Sequence, residues 1–592
     1  MAENRLAKAF LNGEFVVTYE LIPGRGANED FQAKFIEEAK EVGENLRIHA
    51  ISVTDNPSGH PALMADKFAK ELLDLGITPL AHFTCKDRSR NQIESQFYAL
   101  ERSGVENILC MTGDYPVSGW EGRSKPDFDL DAVQLIQMAR AMNEGLPYAS
   151  RKGGVDHLEP THFLPGAVCN PFKWTEAETI TQYNKLYKKC IAGAGFIISQ
   201  IGFDARKMQE LIQVMNETGF GHIPVIANIF VLPYGVGKRM HAGAFPGCYV
   251  SEKLLEVLKE ESEAPDKGKK ARLERAAKII AIARGLGYRG VHVGGIGLTP
   301  EVANQILDMA DDYQDHWQEY ARELSYGEPN CFYLYEQDPG TGLNTNARAK
   351  LAPARTDRAV QKTYKLSRFV HKMMFTPDKK LFPFVQWFMY RKEQKKGLHR
   401  HHGIEHTGKA FLFGCMDCGD CGLPSTTYIC PMTQCPKCQR NGPCGGSHNG
   451  WCEVYPDERL CIHYRAYHRY RKYGEEYKLR GYLVPPNNWD LYGGSAWAGY
   501  FLGRDNISRR IYLDGSLTHE TPAPYWKMVP GAKSKKEVRA AAKLKREQEA
   551  LAGRAETKAK KDFAAAQTAA PQVSEQAVET AVKQAVEQQL NQ

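Results

Sequence analysis

The segment Phe15-Val-Val-Thr-Tyr-Glu20 is the first of eight short runs, rich in β-branched and apolar residues, that recur as far as about residue 312. The predicted strands are residues 15–20, 50–54, 78–84, 107–111, 163–168, 196–200, 224–229 and 290–293. Amphipathic stretches separate them, such as the one that places Phe35, Ala39 and Val42 on one helical face. Eight strands alternating with helices predict an α/β fold, a (β/α)8 TIM barrel. An open doubly wound sheet is the alternative, but no Gly-x-Gly-x-x-Gly turn follows the first run.

A cysteine cluster lies downstream of these runs. Nine of the 15 cysteines fall between Cys415 and Cys461, beginning with the triple Cys415-Met-Asp-Cys418-Gly-Asp-Cys421. Three thiolates at such spacings, joined by a distant fourth, can hold one iron–sulfur cube, whereas zinc is more usually held by two separated pairs. We therefore predict two [4Fe–4S] clusters, with structural zinc as the alternative. The predicted ligands are Cys415, Cys418, Cys421, Cys430, Cys435, Cys444, Cys452 and Cys461, and Cys438 is the spare thiol.

Composition and charge limit the class of protein. The chain has 592 residues, 42% of them hydrophobic and 25% charged, which is typical of a globular protein with several domains. The sequence starts without a secretory apolar core and has no apolar run of membrane-spanning length, so we expect a cytoplasmic protein with no membrane span. The net charge of +7 is modest for this length and not concentrated in one stripe, which argues against nucleic-acid binding.

Shifts in composition divide the chain into five predicted parts. Residues 1–312 form the barrel, 313–404 a connector, 405–470 the small cysteine-rich iron–sulfur domain, 471–531 an extension, and 532–592 a polar tail, helical or disordered. In the connector, the aromatic run Leu381–Tyr390 is expected to pack against the barrel in preference to lying on a membrane surface. We interpret His399, His401 and His402 as a solvated cluster rather than a metal site.

Polar residues end most of the predicted barrel strands. The carboxyl ends of barrel strands meet at one rim, which is where the chemistry of such barrels takes place. The polar residues expected at this rim are Glu20, Thr54, His82, Thr112, Asp114, Gln200, Asn228 and His292, with Tyr234 in the loop after the seventh strand. Together they predict a site for a polar heterocycle.

Four motifs in order resemble the methylenetetrahydrofolate reductase family. They are Thr18-Tyr-Glu-Leu-Ile-Pro23, His82-Phe-Thr-Cys85, Thr112-Gly-Asp114, and Ser199-Gln200 followed by Phe203-Asp204, and the resemblance covers about residues 10–310. It implies a flavin-binding barrel that reduces 5,10-methylenetetrahydrofolate to 5-methyltetrahydrofolate. The family often has Arg-Gly-Asp where this chain has Thr112-Gly-Asp114.

The same resemblance implies roles for individual residues. Glu20 and Asp114 would be catalytic, and Gln200 and Tyr234 would bind folate. The cofactor, FAD with FMN as the alternative, would be bound by Thr54, His82, Thr112, Asp114, Asn170, Lys188 and Lys189. Partial burial is expected to raise the pKa of Glu20 and so to make it a general acid.

The cysteine cluster has a resemblance of its own. The stretch from Phe413 to Cys461, with Gly442-Pro-Cys-Gly-Gly-Ser447, is similar to the small iron–sulfur subunit of acetogen-type methylenetetrahydrofolate reductase. This implies that electrons reach the flavin from a protein donor such as ferredoxin, or from NAD(P)H. A folate-dependent methyltransferase and a non-catalytic electron-transfer module are the alternatives. A homo-oligomer is compatible with the sequence.

Overall fold

The computed structural model describes residues 4–508, except 45–46, 151–153, 296, 378 and 397–402, and beyond residue 508 it describes only Lys543. His399, His401 and His402 lie outside the described residues, as does the predicted tail apart from Lys543. Within the described part of the chain, no helix is both long enough and apolar enough to cross a membrane.

Eight parallel strands form a closed barrel. They are β1 (Val16–Leu21), β2 (Ala50–Val53), β3 (Pro79–Thr84), β4 (Asn107–Met111), β5 (Leu164–Cys169), β6 (Phe196–Ser199), β7 (Val225–Val231) and β8 (Gly290–Gly295). Each strand pairs with the next along the chain, and β8 pairs with β1 to close the barrel. The predicted (β/α)8 fold is confirmed, and all eight predicted strands are present.

The barrel interior is filled at its amino end by apolar side chains. Val16, Leu80, Phe196 and Ile226 are buried there in one cluster with the helix Arg5–Asn12, which the sequence reasoning missed. Gly166 makes room for this packing, because a Cβ at this position would lie 2.2 Å from the ring of Phe196. The carboxyl end is therefore left as the open end, where a site can form.

Helices surround the strands. Those of the barrel are Asp30–Glu44, Ala65–Asp74, Arg90–Ser103, Ala132–Asn143, Glu176–Ala192, Ala205–Glu217, Tyr234–His241, Glu252–Ser262, Lys269–Gly285 and Pro300–Asp312. A short 3₁₀ turn lies at Pro57–Gly59, and a hairpin of Pro147–Ala149 and Val155–His157 follows the helix after β4. Asp131 caps its helix through a capping box with Gln134, which fixes where that helix begins.

The connector is structured. Its helices are Trp317–Glu323, Arg358–Gln361, Tyr364–Met374 and Leu381–Lys396, with a 3₁₀ turn at Gln314–His316 and a hairpin of Tyr335–Gln337 and Asn344–Arg348. The expected packing of Leu381–Tyr390 on the barrel is wrong. Phe382 and Met389 are buried instead against Val484, Phe501 and other residues of the C-terminal extension, because the extension supplies the apolar side chains that cover this face of the helix.

The cysteine-rich region and the extension complete the described chain. Their helices are Gly403–Phe413, Pro431–Gln434, Ile462–Arg471 and Ala496–Phe501; their strands are Trp451–Cys452 and Tyr455–Leu460; and 3₁₀ turns lie at Leu423–Thr426, Glu476–Leu479 and Trp489–Leu491. Tyr464 and Tyr467 pack on Ala177 of the barrel, and the Tyr467 hydroxyl donates to Glu176 at 2.6 Å. The cysteine-rich region is therefore attached directly to the barrel.

Candidate active site

The carboxyl ends of the barrel strands surround a cavity of about 280 Å³. Most of the predicted site residues line it: Glu20, Thr54, His82, Thr112, Asp114, Asn170, Lys189 and Gln200. Asn228 and His292, expected at the same rim, also line it, whereas Tyr234 and Lys188 do not. Residues of the cysteine-rich region form the remaining wall, so the cavity lies between the two parts of the chain.

Glu20 is held by a hydrogen-bonded chain that crosses from β1 to β8. Thr18 and His292 lie opposite each other in these paired strands, and Thr18 Oγ1 lies 2.7 Å from His292 Nδ1. His292 Nε2 lies 3.3 Å from Glu20 Oε2. Gly294 leaves room for the carboxylate, since a Cβ at this position would lie 3.0 Å from Glu20 Oε1. A proton can therefore pass between His292 and Glu20.

The prediction that the pKa of Glu20 is raised is wrong, because its pKa is lowered. Burial alone would raise the pKa, but the hydrogen bond and the charge from His292 outweigh burial and lower it. The sequence reasoning considered burial and not this partner, which is 272 residues away along the chain.

His82 lies beside this chain of residues as a neutral imidazole. Its Nε2 is 2.6 Å from the hydroxyl of Ser52 on β2, and burial lowers the pKa of His82 to about 4. Because the uncharged ring costs less to bury than the imidazolium, His82 can face an apolar or aromatic ligand in the cavity.

Asp114 is a half-buried residue near the start of the loop that follows β4. Burial raises its pKa, although the charge of Lys437 acts in the opposite direction. Lys437 comes from the cysteine-rich region and donates from Nζ to the carbonyl of Gly113 at 2.8 Å. Thr112 stands where the family often has arginine, and in this structure Lys437 supplies a cation from another part of the chain.

Lys437 is itself held by a buried ion pair with Glu453. Both side chains are almost completely buried, and Gly446 is required beside them because a Cβ at this position would overlap the Glu453 carboxylate. Thr112 adds a further link by donating to the side-chain oxygen of Gln439 at 3.0 Å. The cysteine-rich region is thus fixed to the site by buried polar contacts.

Replacing Lys437 by Met should lower the free energy of unfolding by about 3 kcal/mol, because it leaves the Glu453 carboxylate buried without its partner. Urea titration followed by tryptophan fluorescence measures this change. The double variant Lys437→Met/Glu453→Gln, which leaves no buried charge, should recover part of the loss. If Lys437→Met were as stable as the unaltered protein, Lys437 would not be the partner that the buried Glu453 carboxylate needs.

Of two predicted binding residues, Asn170 lines the cavity and Tyr234 does not. Tyr234 begins the helix Tyr234–His241 and lies outside the cavity lining, whereas Phe245, from the loop after that helix, lines it. Asn170 lines the cavity and donates from Nδ2 to the carbonyls of Gly247 and Gly445, at 2.9 and 3.0 Å. Asn170 therefore also connects the barrel to the cysteine-rich region.

Lys188 and Lys189, both predicted to bind the cofactor, have different surroundings. Lys189 lines the cavity, donates to the carbonyl of Val168, and has a pKa lowered to about 8 by burial and by the charge of Lys185. Lys188 lies over the ring of Tyr482 at 5.9 Å. Lys185 donates to Gln439 Oε1 at 2.8 Å and to the carbonyl of Gly442 at 3.2 Å. Only Lys189 of these three faces the cavity.

The cavity wall fits a polar aromatic ring system such as that of a flavin. Thr54 Oγ1 and Gln182 Nε2 are buried without a hydrogen-bond partner, and both residues line the cavity. Unpaired buried polar atoms are costly, so they indicate a ligand with matching donors and acceptors. Of the two, Thr54 was predicted to bind the cofactor.

The structure separates eight of the clustered cysteines into two sets of four. We call Cys415, Cys418, Cys421 and Cys430 the outer set, and Cys435, Cys444, Cys452 and Cys461 the inner set; each set surrounds a space of about 20 Å³. Cys438 lines neither space. Cys444 of the inner set also lines the barrel cavity.

In neither set do three sulfur atoms all lie within 4.8 Å of one another. Among the described residues, Glu20, His82 and His292 are the one group of three or more possible metal ligands whose atoms all lie within 4.8 Å of one another. Four thiolates on one zinc would lie about 3.8 Å apart at a Zn–S distance of about 2.3 Å. In an iron–sulfur cube each thiolate binds a different iron, so wider spacing fits that group better.

Sequence reasoning missed several residues at the cavity. Lys437, Glu453 and Gly445 are more than 300 residues distant in sequence from the barrel motif at Thr112–Asp114, and no local signal places them there. Thr18 and Gln182 also went unassigned. The signal for Thr18 was available, because it lies two residues before Glu20 and therefore on the same face of β1.

Comparison with known proteins identifies the family. A family model described as methylenetetrahydrofolate reductase matches residues 5–310, more than half of the chain, and one described as methylene-tetrahydrofolate reductase C terminal matches residues 397–490. Methylenetetrahydrofolate reductase 2 of Schizosaccharomyces pombe is 26% identical over 214 residues, which cover 35% of this chain and 31% of that protein. The chain thus spans about a third of the length of this curated relative.

Two solved structures are more distant. An uncharacterized Clostridium thermocellum protein that binds two copies of 5-methyl-5,6,7,8-tetrahydrofolic acid is 12% identical, with 52% of this chain and 99% of that chain covered and a TM-score of 0.37. A 2,3-dimethylmalate lyase is 14% identical, with coverage of 52% and 85% and a TM-score of 0.29. The two family models, which match both the barrel and the cysteine-rich region, establish that the chain belongs to the methylenetetrahydrofolate reductase family.

Proposed function

We propose that the protein is a flavin-dependent methylenetetrahydrofolate reductase in which iron–sulfur clusters deliver electrons to the barrel site. It would interconvert 5,10-methylenetetrahydrofolate and 5-methyltetrahydrofolate. The observation that carries the proposal is the position of Cys444, which belongs to the inner cysteine set and also lines the cavity at the rim of the barrel. A redox group held by the inner set would therefore be adjacent to the reaction.

Glu20 is the proposed proton donor. Opening the five-membered ring of the substrate leaves an iminium and a nitrogen that must be protonated. His292 lowers the pKa of Glu20 and lies within hydrogen-bond distance of its carboxylate, so the Glu20–His292 pair is the proposed unit that delivers the proton. Thr18 orients the imidazole through Nδ1, which keeps Nε2 directed at the carboxylate.

Asp114 and Gln200 are proposed to hold the pterin and its developing charge. Asp114 is half-buried and burial raises its pKa, so a carboxylate at this position acts in a lower dielectric than water and stabilises a cationic iminium more strongly than it would in water. Gln200 follows β6, two strands along the rim from β4, and lines the same cavity. Its side-chain oxygen accepts from the Ile201 N–H at 2.9 Å, and its amide nitrogen can donate to a ligand. Phe245 is an aromatic side chain in the cavity wall against which a ring can pack.

The proposed flavin is FAD, the family's usual form, with FMN as the alternative. Once bound, it supplies hydride transfer to the methylene carbon. Thr54 and His82 would contact its ring system, together with Thr112, Asp114 and Asn170 from the same wall. Lys189 would meet the phosphate end, and an anion there would stabilise its charged form. Lys188 is engaged with Tyr482 and is not assigned this role.

The outer and inner cysteine sets are each proposed to hold one [4Fe–4S] cluster. Lys409 lines the space within the outer set, and although its burial alone would lower its pKa, the neighbouring Cys421 and Glu405 raise it. A buried cation at this position offsets the negative charge of thiolate ligands. Structural zinc is the alternative for both sets. The clusters are supported because no three sulfur atoms of a set all lie within 4.8 Å of one another, whereas four thiolates on one zinc would lie about 3.8 Å apart.

Replacing Asp114 by Asn should raise the KM for methylenetetrahydrofolate about tenfold or more, because a charge-assisted contact to the pterin is lost. The raised pKa of Asp114 also predicts a pH effect. In the unaltered protein, folate affinity should fall on acidification from a higher pH than for an ordinary aspartate, as the carboxylate becomes protonated. In the Asp114→Asn variant, folate affinity should not show this fall on acidification, because the titrating carboxyl is absent. Unchanged KM and unchanged pH dependence would place Asp114 outside the site.

An anaerobic assay tests the proposed reaction. The full chain, supplied with reduced methyl viologen and methylenetetrahydrofolate, should form 5-methyltetrahydrofolate at a rate proportional to protein concentration. A folate-dependent methyltransferase would instead transfer the methyl group of 5-methyltetrahydrofolate to a corrinoid without a reductant. That result, with no reduction of methylenetetrahydrofolate, would contradict the proposal.

A further inference from the structure

Exposed apolar side chains are concentrated on the helices Tyr364–Met374, Leu381–Lys396 and Gly403–Phe413. Of the 25 large apolar residues exposed in the described part of the chain, 11 lie between residues 366 and 412. The most prominent are Phe369, Phe384, Trp387, Phe388, Ile404 and Phe411, which we call the apolar face. Single exposed apolar residues are ordinary, but a concentration of this kind marks an interaction surface.

The charges beside the apolar face are mostly positive. Between residues 361 and 392 the sequence has eight lysines and arginines and one acidic residue, Asp378. Lys365, Lys372, Lys379 and Lys380 are exposed. A second copy of this chain would bring like charges together and be repelled, whereas an acidic partner would be attracted. The positive charge of this surface therefore favours an acidic partner over a second copy of this chain.

A cavity beside two of these helices, Tyr364–Met374 and Gly403–Phe413, leads to the outer cysteine set. It has a volume of about 280 Å³ and is lined by apolar residues that include Leu366, Val370, Ile404 and Leu412. Cys421 forms part of its wall and also lines the space within the outer set. A group bound at this cavity would thus lie beside a predicted cluster ligand. The concave shape suits a protruding side chain of a protein better than a flat lipid surface.

We propose that the apolar face, its surrounding lysines and this cavity form the docking surface for an acidic protein that carries one electron at a time and reduces the outer cluster. The inference rests on the proposed function. Two docking events deliver two electrons, which pass from the outer to the inner set and into the barrel site. With two protons from solvent, one of them through Glu20, they convert methylenetetrahydrofolate into 5-methyltetrahydrofolate.

The test compares two donors in the full chain. The probe protein is an acidic ferredoxin with two [4Fe–4S] clusters, and methyl viologen is the small donor that needs no docking surface. The variant Lys365→Glu/Lys372→Glu/Lys379→Glu should raise the KM for ferredoxin at least about tenfold and weaken its dependence on salt, while the rate with methyl viologen is unchanged. Trp387→Ala should raise the KM for ferredoxin without changing the salt dependence.

The control variant Lys259→Glu/Lys267→Glu/Lys270→Glu makes the same change in net charge on exposed lysines of the barrel and should leave both donors unaffected. An unchanged KM for ferredoxin in the first variant would overturn the proposal. Two other results would also overturn it. In each, the first variant would use ferredoxin normally but would lose either binding to phosphatidylglycerol vesicles or self-association. If the chain holds no iron or is inactive with methyl viologen, the proposed function fails. Ferredoxin binding measured by biolayer interferometry then tests the surface by itself.

Discussion

Glu20→Gln should reduce methylenetetrahydrofolate at least about 10²-fold more slowly than the unaltered protein, which is the low end of the range for general acid catalysis. Glutamine can still accept a hydrogen bond from His292 Nε2, 3.3 Å away in the unaltered protein, but it cannot transfer a proton. The loss should therefore appear in kcat. Steady-state kinetics with reduced methyl viologen measure it without involving a protein donor.

The control for this variant is binding. The affinity for 5-methyltetrahydrofolate, measured by calorimetry, should change little, because the substitution keeps the shape of the side chain and removes one charge. A turnover near that of the unaltered protein would exclude Glu20 as the proton donor. A loss of affinity equal to the loss of rate would indicate a binding role instead.

Cys418→Ser should abolish turnover with reduced ferredoxin, because Cys418 is buried in the outer set and its thiolate is a proposed cluster ligand. The inner set and the barrel site remain, so reduction by a donor that reaches the flavin directly should be retained. Cys438→Ser is the matched control, since this cysteine lies in the same region and lines neither set. It should keep its activity with both donors.

Two results would contradict this account of electron entry. The first is full activity of Cys418→Ser with ferredoxin, which would make the outer set dispensable. The second is equal loss of activity in Cys438→Ser, which would show that any cysteine replacement disrupts the region. Iron content measured for both variants separates loss of a cluster from loss of folding.

The barrel could be predicted because its determinants are local. Runs such as Phe15–Glu20 and Asn107–Met111 are short, apolar and rich in strand-forming residues, and parallel barrel strands are buried on both faces. The residues at the rim could then be predicted as well, since the carboxyl ends of barrel strands meet at one rim regardless of the conformation of the loops. The two cysteine sets follow the order of the cysteines along the chain, and Cys438, which lines neither, stays the predicted spare thiol.

The remaining features depend on contacts between distant parts of the chain. The pKa of Glu20 is set by His292 on the last strand of the barrel, and the cation near Asp114 is Lys437 from the cysteine-rich region. The run Leu381–Tyr390 has an apolar face that would suit any apolar surface, so its sequence could not distinguish the barrel from the extension. Lys188 and Lys189 are adjacent in sequence, but consecutive residues of a helix point in different directions, and only Lys189 reaches the cavity.

Metal and acid-labile sulfide analysis of the anaerobically purified chain tests the central claim most directly. Two [4Fe–4S] clusters, one in the outer set and one in the inner set, predict about eight irons and about eight sulfides per chain. The same sample should show the broad visible absorption of such clusters and lose it on acidification. About two zinc ions per chain with no sulfide would make both sets structural, and electrons would then have to reach the barrel site by another route.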